Sequence, residues 1–404
     1  MSINRLTLRF AGLLCRGPAY LQAGRESCFM DSIITEIGVA TIEGQLPAPV
    51  VFGDWIMRTR EFVVVRIRTS SGHEGWAFTL TRDGAVAEQI RKTIGRIYLG
   101  SSIAERETTF RVGKGRSYGS HSNGVGLRAL SLLDLAAWDV AAKLADKPIA
   151  EFIGQSAKPM PATAIIGYPP AAMPPDKIAE QVRALHAAGW RRFKAPMAAT
   201  PELSEARLRA VRAEAPDAWI GTDLAWTFSD VDAAAAYANR LADLDMGCIE
   251  DIFPPGNARK LAELRRRVPM PVWQGDEQGG AYYPEALIAM QCVDLVRIDL
   301  TCMGGITGGR AIVEECRAAG IGFAPHMFAH VHSQVFSGWG CDDRPIEWGV
   351  PWTGVDPYAD SLEAPTIIAG GLMRPLRQAP GFGTLLNRDW ASSQPHDDPD
   401  HILD

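Results

Sequence analysis

Four charged residues, Lys194, Asp223, Glu250 and Asp276, each close a short apolar run, and they stand 29, 27 and 26 residues apart. That step is about what one strand and one crossover helix consume in a parallel βα unit. Runs of the same kind recur, so eight strands are predicted near 163–166, 192–195, 219–223, 248–250, 272–276, 295–298, 322–324 and 345–347. Amphipathic helical stretches separate them. The pattern predicts a (β/α)8 barrel over residues 159–360, within the usual span of about 200–250 residues.

The flanks read differently. Residues 30–158 run from alternating strand patterns ("IITEIGVATIEG", "EFVVVRIRTS") into the helical "LRALSLLDLAAWDVAAKLADKP", which predicts an α+β domain. Residues 1–29 carry four arginines and one acid and read as a non-catalytic extension. Residues 361–404, with "PGFGTLLNRDW", are expected to return to the first domain. The fold class is therefore α/β, a (β/α)8 barrel with an α+β N-terminal domain.

Composition narrows the function. A net charge of −6 argues against nucleic-acid binding through a basic surface. No apolar run reaches the roughly 18 residues of a membrane span. Seven cysteines lie scattered with no C-x-x-C pair, which suits a reducing cytoplasm better than a disulfide scaffold or a zinc ribbon.

Catalytic groups of such barrels lie at the C-terminal ends of the strands. Asp223, Glu250 and Asp276 would converge there from three neighbouring strands, and hard oxygen ligands suit Mg2+. The adjoining acids Asp251 and Glu277 leave the register open by one residue at two of these positions. Asp294 and His326, 32 residues apart, offer a carboxylate beside an imidazole, the pairing that makes a general base. His330 and His332 compete for the base role. Glu347 ends the eighth strand and could bond a substrate oxygen if protonated, or simply pair with Arg344. His121 and Tyr168 are candidate substrate contacts. In "RRFKAPMAA", Lys194 and Pro196 share a face, so one can do chemistry and the other cannot.

Together these residues resemble the enolase superfamily in its mandelate racemase-like branch. The resemblance rests on the helix "RALSLLDLAAWDVAAKLADKP", the acids Asp223, Glu250 and Asp276, "GGITGG", the Asp294–His326 pair and Glu347. It implies a modified (β/α)8 barrel with an α+β N-terminal capping domain, and a Mg2+-dependent enzyme in which the metal grips a substrate carboxylate and a side-chain base removes the α-proton. Racemases of the branch carry K-x-K on the second strand, whereas this chain reads Lys194-Ala195-Pro196. The resemblance therefore points to the acid-sugar dehydratases: His326 as base, Asp294 as its partner, Lys194 on the substrate carboxylate, Glu347 beside it. It also implies a small sugar acid as substrate and a homo-oligomer of even order, while composition speaks against nucleic-acid or membrane partners. The alternatives are a racemase or epimerase of the same superfamily and a barrel that binds without turnover.

Overall fold

The computed structural model describes residues 32–52, 55–116, 118–275, 280–350, 361–362, 367–374, 379–383 and 386–403. The extension 1–29 and the candidate ligand Asp276 lie outside them.

Strands β1 (Ile34–Phe52), β2 (Trp55–Thr69) and β3 (Glu74–Leu80) form an antiparallel meander. The helix Gly124–Leu144 packs against β3, and its residues 126–142 are all buried, in keeping with a helix that is apolar nearly all round. Strand and helix approach so closely that a Cβ on Gly75 would meet the Ala136 carbonyl at 2.1 Å. The polar exceptions on this helix are paired. Asp139 accepts from the backbone N–H of Trp76 and of Phe382, tying the helix to β3 and to the C-terminal segment.

The barrel strands are β4 (Met160–Ile165), β5 (Arg192–Pro196), β6 (Trp219–Asp223), β7 (Cys248–Glu250), β8 (Val272–Gln274), β9 (Leu295–Ile298), β10 (Gly322–Pro325) and β11 (Ile346–Gly349). They pair in parallel and in chain order from β4 to β10, and β11 pairs with β4 on its other side. β11 also lies alongside β10, which brings the ends of the sheet together. Trp219 and Trp273 stack 5.1 Å apart within the strands, and the Arg192 guanidinium lies 4.1 Å from the Trp219 ring centre. A hairpin not foreseen from the sequence, β12 (Ile367–Ala369) and β13 (Leu372–Arg374), adds antiparallel to β4. The final strand β14 (His396–Asp397) pairs with β1, and Asp400 accepts from the Val39 N–H, so the chain ends on the first sheet.

Cap and barrel meet at the N-terminus of the helix Gly305–Ala319. Its amides need acceptors from outside the helix. Ser131 accepts from Gly304 N–H (2.7 Å), and Asp134 accepts from both the N–H (2.9 Å) and the hydroxyl (2.6 Å) of Thr307. Ser131 and Asp134 stand one turn apart on the long cap helix. The glycines of "GGITGG" make room for this: Gly305 has φ +64, and a Cβ there would meet Asp134 Oδ2 at 2.3 Å.

Candidate active site

Parallel pairing sets Asp223 directly opposite Glu250, and Pro196 opposite Asp223, at the C-terminal ends of β5, β6 and β7. Proline is tolerated at Pro196 because the strand ends there, and the next amide, Met197 N–H, bonds the Asp223 carbonyl. Two residues back, Lys194 points into the barrel. Its Nζ lies 2.5 Å from Glu347 Oε1, 3.2 Å from Glu250 Oε1 and 3.5 Å from Asp223 Oδ2.

A second cation completes this buried cluster. Arg297, 1% exposed on β9, places Nη2 2.5 Å from Glu347 Oε2 and Nε 3.2 Å from Glu250 Oε1. Sequence reasoning missed it. The signal was an arginine interrupting the otherwise apolar strand "LVRI", an interruption too costly to keep unless its charge is paired inside. Burial alone would raise the Glu347 carboxyl, yet Arg297 and Lys194 outweigh it and hold the group down at about 2. Glu347 is therefore an ionised acceptor, not the protonated donor that a bond to a substrate carboxylate would need. Burial acts the other way on Glu250 and pushes it up to about 7 against the pull of Lys194 and Arg297.

The candidate base stands close to the same cluster. His326 follows β10 and shares its Nδ1 proton with Asp299 Oδ2 (3.1 Å), leaving Nε2 3.8 Å from Glu347 Oε2. Asp299 Oδ1 accepts from the N–H (2.8 Å) and hydroxyl (2.6 Å) of Thr301. Because Thr301 spends its proton on Asp299, Thr79 of the cap donates to the Thr301 hydroxyl (2.7 Å). Arg128 in turn donates to Thr79 Oγ1 (3.4 Å) and the Leu80 carbonyl (2.9 Å). A directed chain of hydrogen bonds thus runs from the cap to the carboxylate that orients His326.

Two family models match this architecture. The mandelate racemase/muconate lactonizing enzyme N-terminal domain matches residues 36–154, and the enolase C-terminal domain-like family matches residues 177–390. The chain belongs to the enolase superfamily. It is 25% identical over 350 residues to an L-rhamnonate dehydratase of Saccharopolyspora erythraea, covering 83% of this chain and 85% of that protein. Among solved structures it resembles a racemase from Streptomyces coelicolor with bound magnesium (TM-score 0.80, 20% identity, 89% and 99% of the two chains). It also resembles an enolase from Bradyrhizobium complexed with magnesium and mandelic acid (TM-score 0.79, 22% identity, 90% and 98%). The superfamily's mandelate racemase-like branch, expected from the sequence, is thereby established, as are the barrel and its N-terminal cap.

Two sequence assignments need correction. Asp294 does not partner His326. It precedes β9 and so lies at the opposite end of the barrel, where Oδ1 takes both Nε (2.9 Å) and Nη2 (2.7 Å) of Arg265 and Oδ2 accepts from Val272 N–H. Asp299, at the other end of the same strand, holds that place. A second correction concerns His121. It is buried, and its Nδ1 bonds the Gly113 carbonyl (2.9 Å), which makes it a packing residue of the cap. Tyr168 is half-buried in the loop after β4, which Arg207 pins through the Gly167 and Pro170 carbonyls (2.7 Å each). His330 stacks on Phe78 of the cap (4.6 Å), and burial takes its pKa down to about 3, so it is not the base. Both nitrogens of His332 are bonded to backbone, which removes it as a base too. Of the adjoining acids Glu250 and Asp251, Glu250 is the one that meets Lys194.

Among the described residues, no three or more His, Cys, Asp or Glu side chains cluster closely enough to cage a metal. What they do offer is half a cage. Both oxygens of the fully buried Glu250 lack a hydrogen bond, and Asp223 stands beside it. Asp223, Glu250 and Glu347 face two permanent cations, Lys194 and Arg297. That surplus of hard oxygen donors fits a divalent cation.

Proposed function

We propose that the protein is a Mg2+-dependent acid-sugar dehydratase that converts an aldonate into its 2-keto-3-deoxy acid. One observation carries the reading: β5 presents a lysine and then a proline to the barrel interior, so the described site offers one imidazole base and no second base facing it. A racemase needs proton donors on both faces of a planar intermediate, whereas elimination of water needs one.

Asp223 and Glu250 would hold the metal together with Asp276, the acid two residues beyond β8 in the sequence, and the bound cation would supply the charge that acidifies the C–H next to a substrate carboxylate. Lys194 pairs with that carboxylate. His326, kept in the Nδ1–H tautomer by Asp299, takes the α-proton at Nε2. The resulting imidazolium returns that proton to the β-hydroxyl as its C–O bond breaks. Water leaves, and the enol product tautomerises to the 2-keto acid. The dehydratase relative supports this reading. No helix among the described residues is long and apolar enough to cross a membrane, and the substrate is proposed to be a small soluble acid.

The test is a panel of aldonates incubated with enzyme and Mg2+ in D2O, with 2-keto acids scored by carbonyl-reagent absorbance and NMR. Keto product from at least one acid is expected. Deuterium at the α-carbon with inversion and no keto product would replace the dehydratase with an epimerase.

A further inference from the structure

The proposed base and its carboxylate stand on two different loops, Asp299 after β9 and His326 after β10. Their 3.1 Å contact therefore depends on how those loops are held together. The turn that carries His326 is strained, because Met327 (φ +37) and Phe328 (φ +40) both adopt left-handed backbone. Left-handed backbone is unfavourable for a residue with a Cβ, so the turn needs an external restraint.

His332 supplies one. It lies in the first turns of the helix Ala329–Gly338 and is wholly buried. The backbone N–H of Leu300, the residue after Asp299, donates to its Nε2 (2.9 Å). Its Nδ1 lies 2.7 Å from the carbonyl of Met327, the residue after His326. An amide can only donate and a carbonyl can only accept, so these partners fix a neutral ring protonated at Nδ1. Burial, which lowers its pKa to about 4, agrees with that assignment. One imidazole thus joins the residue following the carboxylate to the residue following the base.

We infer that His332 is a positioning residue that sets the Asp299–His326 geometry by joining the two loops through its ring nitrogens. The inference rests on the reading of His326 as the general base. A buried ring of similar volume that only filled space would be replaceable by phenylalanine. A ring that sets the geometry is not, since sub-ångström displacements in a reacting array are costly.

The experiment compares the wild type with His332→Phe, which keeps volume but loses both bonds, and His332→Asn, whose amide retains a donor toward Met327. Histidine 13Cε1 NMR follows the titration of His326 without substrate, its resonance assigned by its loss in His326→Asn. Steady-state kinetics with a sugar acid that turns over gives kcat and KM separately. In His332→Phe the His326 midpoint should move by about half a pH unit or more, since the imidazolium is less well paired with Asp299. There kcat should fall on the order of 10- to 100-fold with KM within about twofold. His332→Asn should fall between the two. Folding of each variant is checked by thermal melting, and His332→Asn carries the test if the phenylalanine variant does not fold. An unmoved His326 midpoint with kcat within about twofold of wild type would overturn the inference. Should no sugar acid turn over at all, the proposed function fails while the NMR arm still decides whether His332 sets the geometry.

Discussion

At the residue scale, the useful contrast is between two aspartates five positions apart. Asp294 and Asp299 bracket one short strand, and only chain direction separates them. Parallel strands deliver their C-terminal ends to the reactive rim, so the residue after "LVRI" reaches the site and the one before it faces the floor. Regular spacing alone could not choose, because Asp294 and Asp299 are both about one βα unit upstream of His326. The two therefore respond differently to the same change. Asp299→Asn should lower kcat by about 10³-fold or more, since an amide in that place no longer fixes the Nδ1–H tautomer. Asp294→Asn should leave kcat near wild type and reduce stability by about 1 kcal/mol through its weakened bonds to Arg265 and Val272. Kinetics and urea denaturation on the two variants check this, and equal kinetic losses would refute the assignment. Arg297 was invisible for a related reason: an arginine in a strand announces that it is paired, but not with what. Its partners come from β7 and β11, remote in sequence.

At the scale of elements, the eight barrel strands were legible because their repeat is long, regular and punctuated by charge. The role of "GGITGG" was not. A run of glycines does not say what presses on it, and here the long cap helix lies against Gly305. Gly305→Ala would place a methyl against Asp134 and force left-handed backbone on alanine. A loss of about 2–4 kcal/mol is expected, measurable as a lowered denaturation midpoint, and an unchanged midpoint would show that the contact relaxes freely. Asp134 adds a dependence on pH. Burial raises its carboxyl from 3.8 to about 7, against the bonds from Thr307. A group whose folded pKa lies above its unfolded value binds its proton more tightly when folded. Its contribution to stability is thus greatest below about pH 4, declines as pH rises to about 7, and is level beyond. The whole effect is at most roughly 4 kcal/mol. Asp134→Asn, which cannot ionise, should gain on the wild type as pH goes from 5 to 8. Denaturation curves at both values test this, and parallel shifts in the two proteins would contradict it.

At the scale of the whole molecule, the cap is more than a cover for the barrel. Two neighbouring residues of β3 reach across to the elements that carry the proposed base. Phe78 stacks on His330, and Thr79 donates to Thr301, which donates to Asp299. No local pattern could reveal this, because the sequence separation is 222 residues and both partners are ordinary threonines. The consequence is that a cap residue which touches no reacting atom should tune the base. Thr79→Val conserves shape but removes the donor to Thr301 and the acceptor for Arg128. Thr301 keeps its bond to Asp299, so the carboxylate stays in place but its supporting hydroxyl is less polarised. A loss of one neutral hydrogen bond is worth about 1 kcal/mol, so kcat should drop on the order of 3- to 10-fold with KM little changed. Thr79→Ser, which restores the hydroxyl, should recover most of the rate. If valine and serine variants behaved alike, the cap would be acting through packing alone. A recovered rate in serine would instead establish that the first domain polarises the catalytic carboxylate of the second.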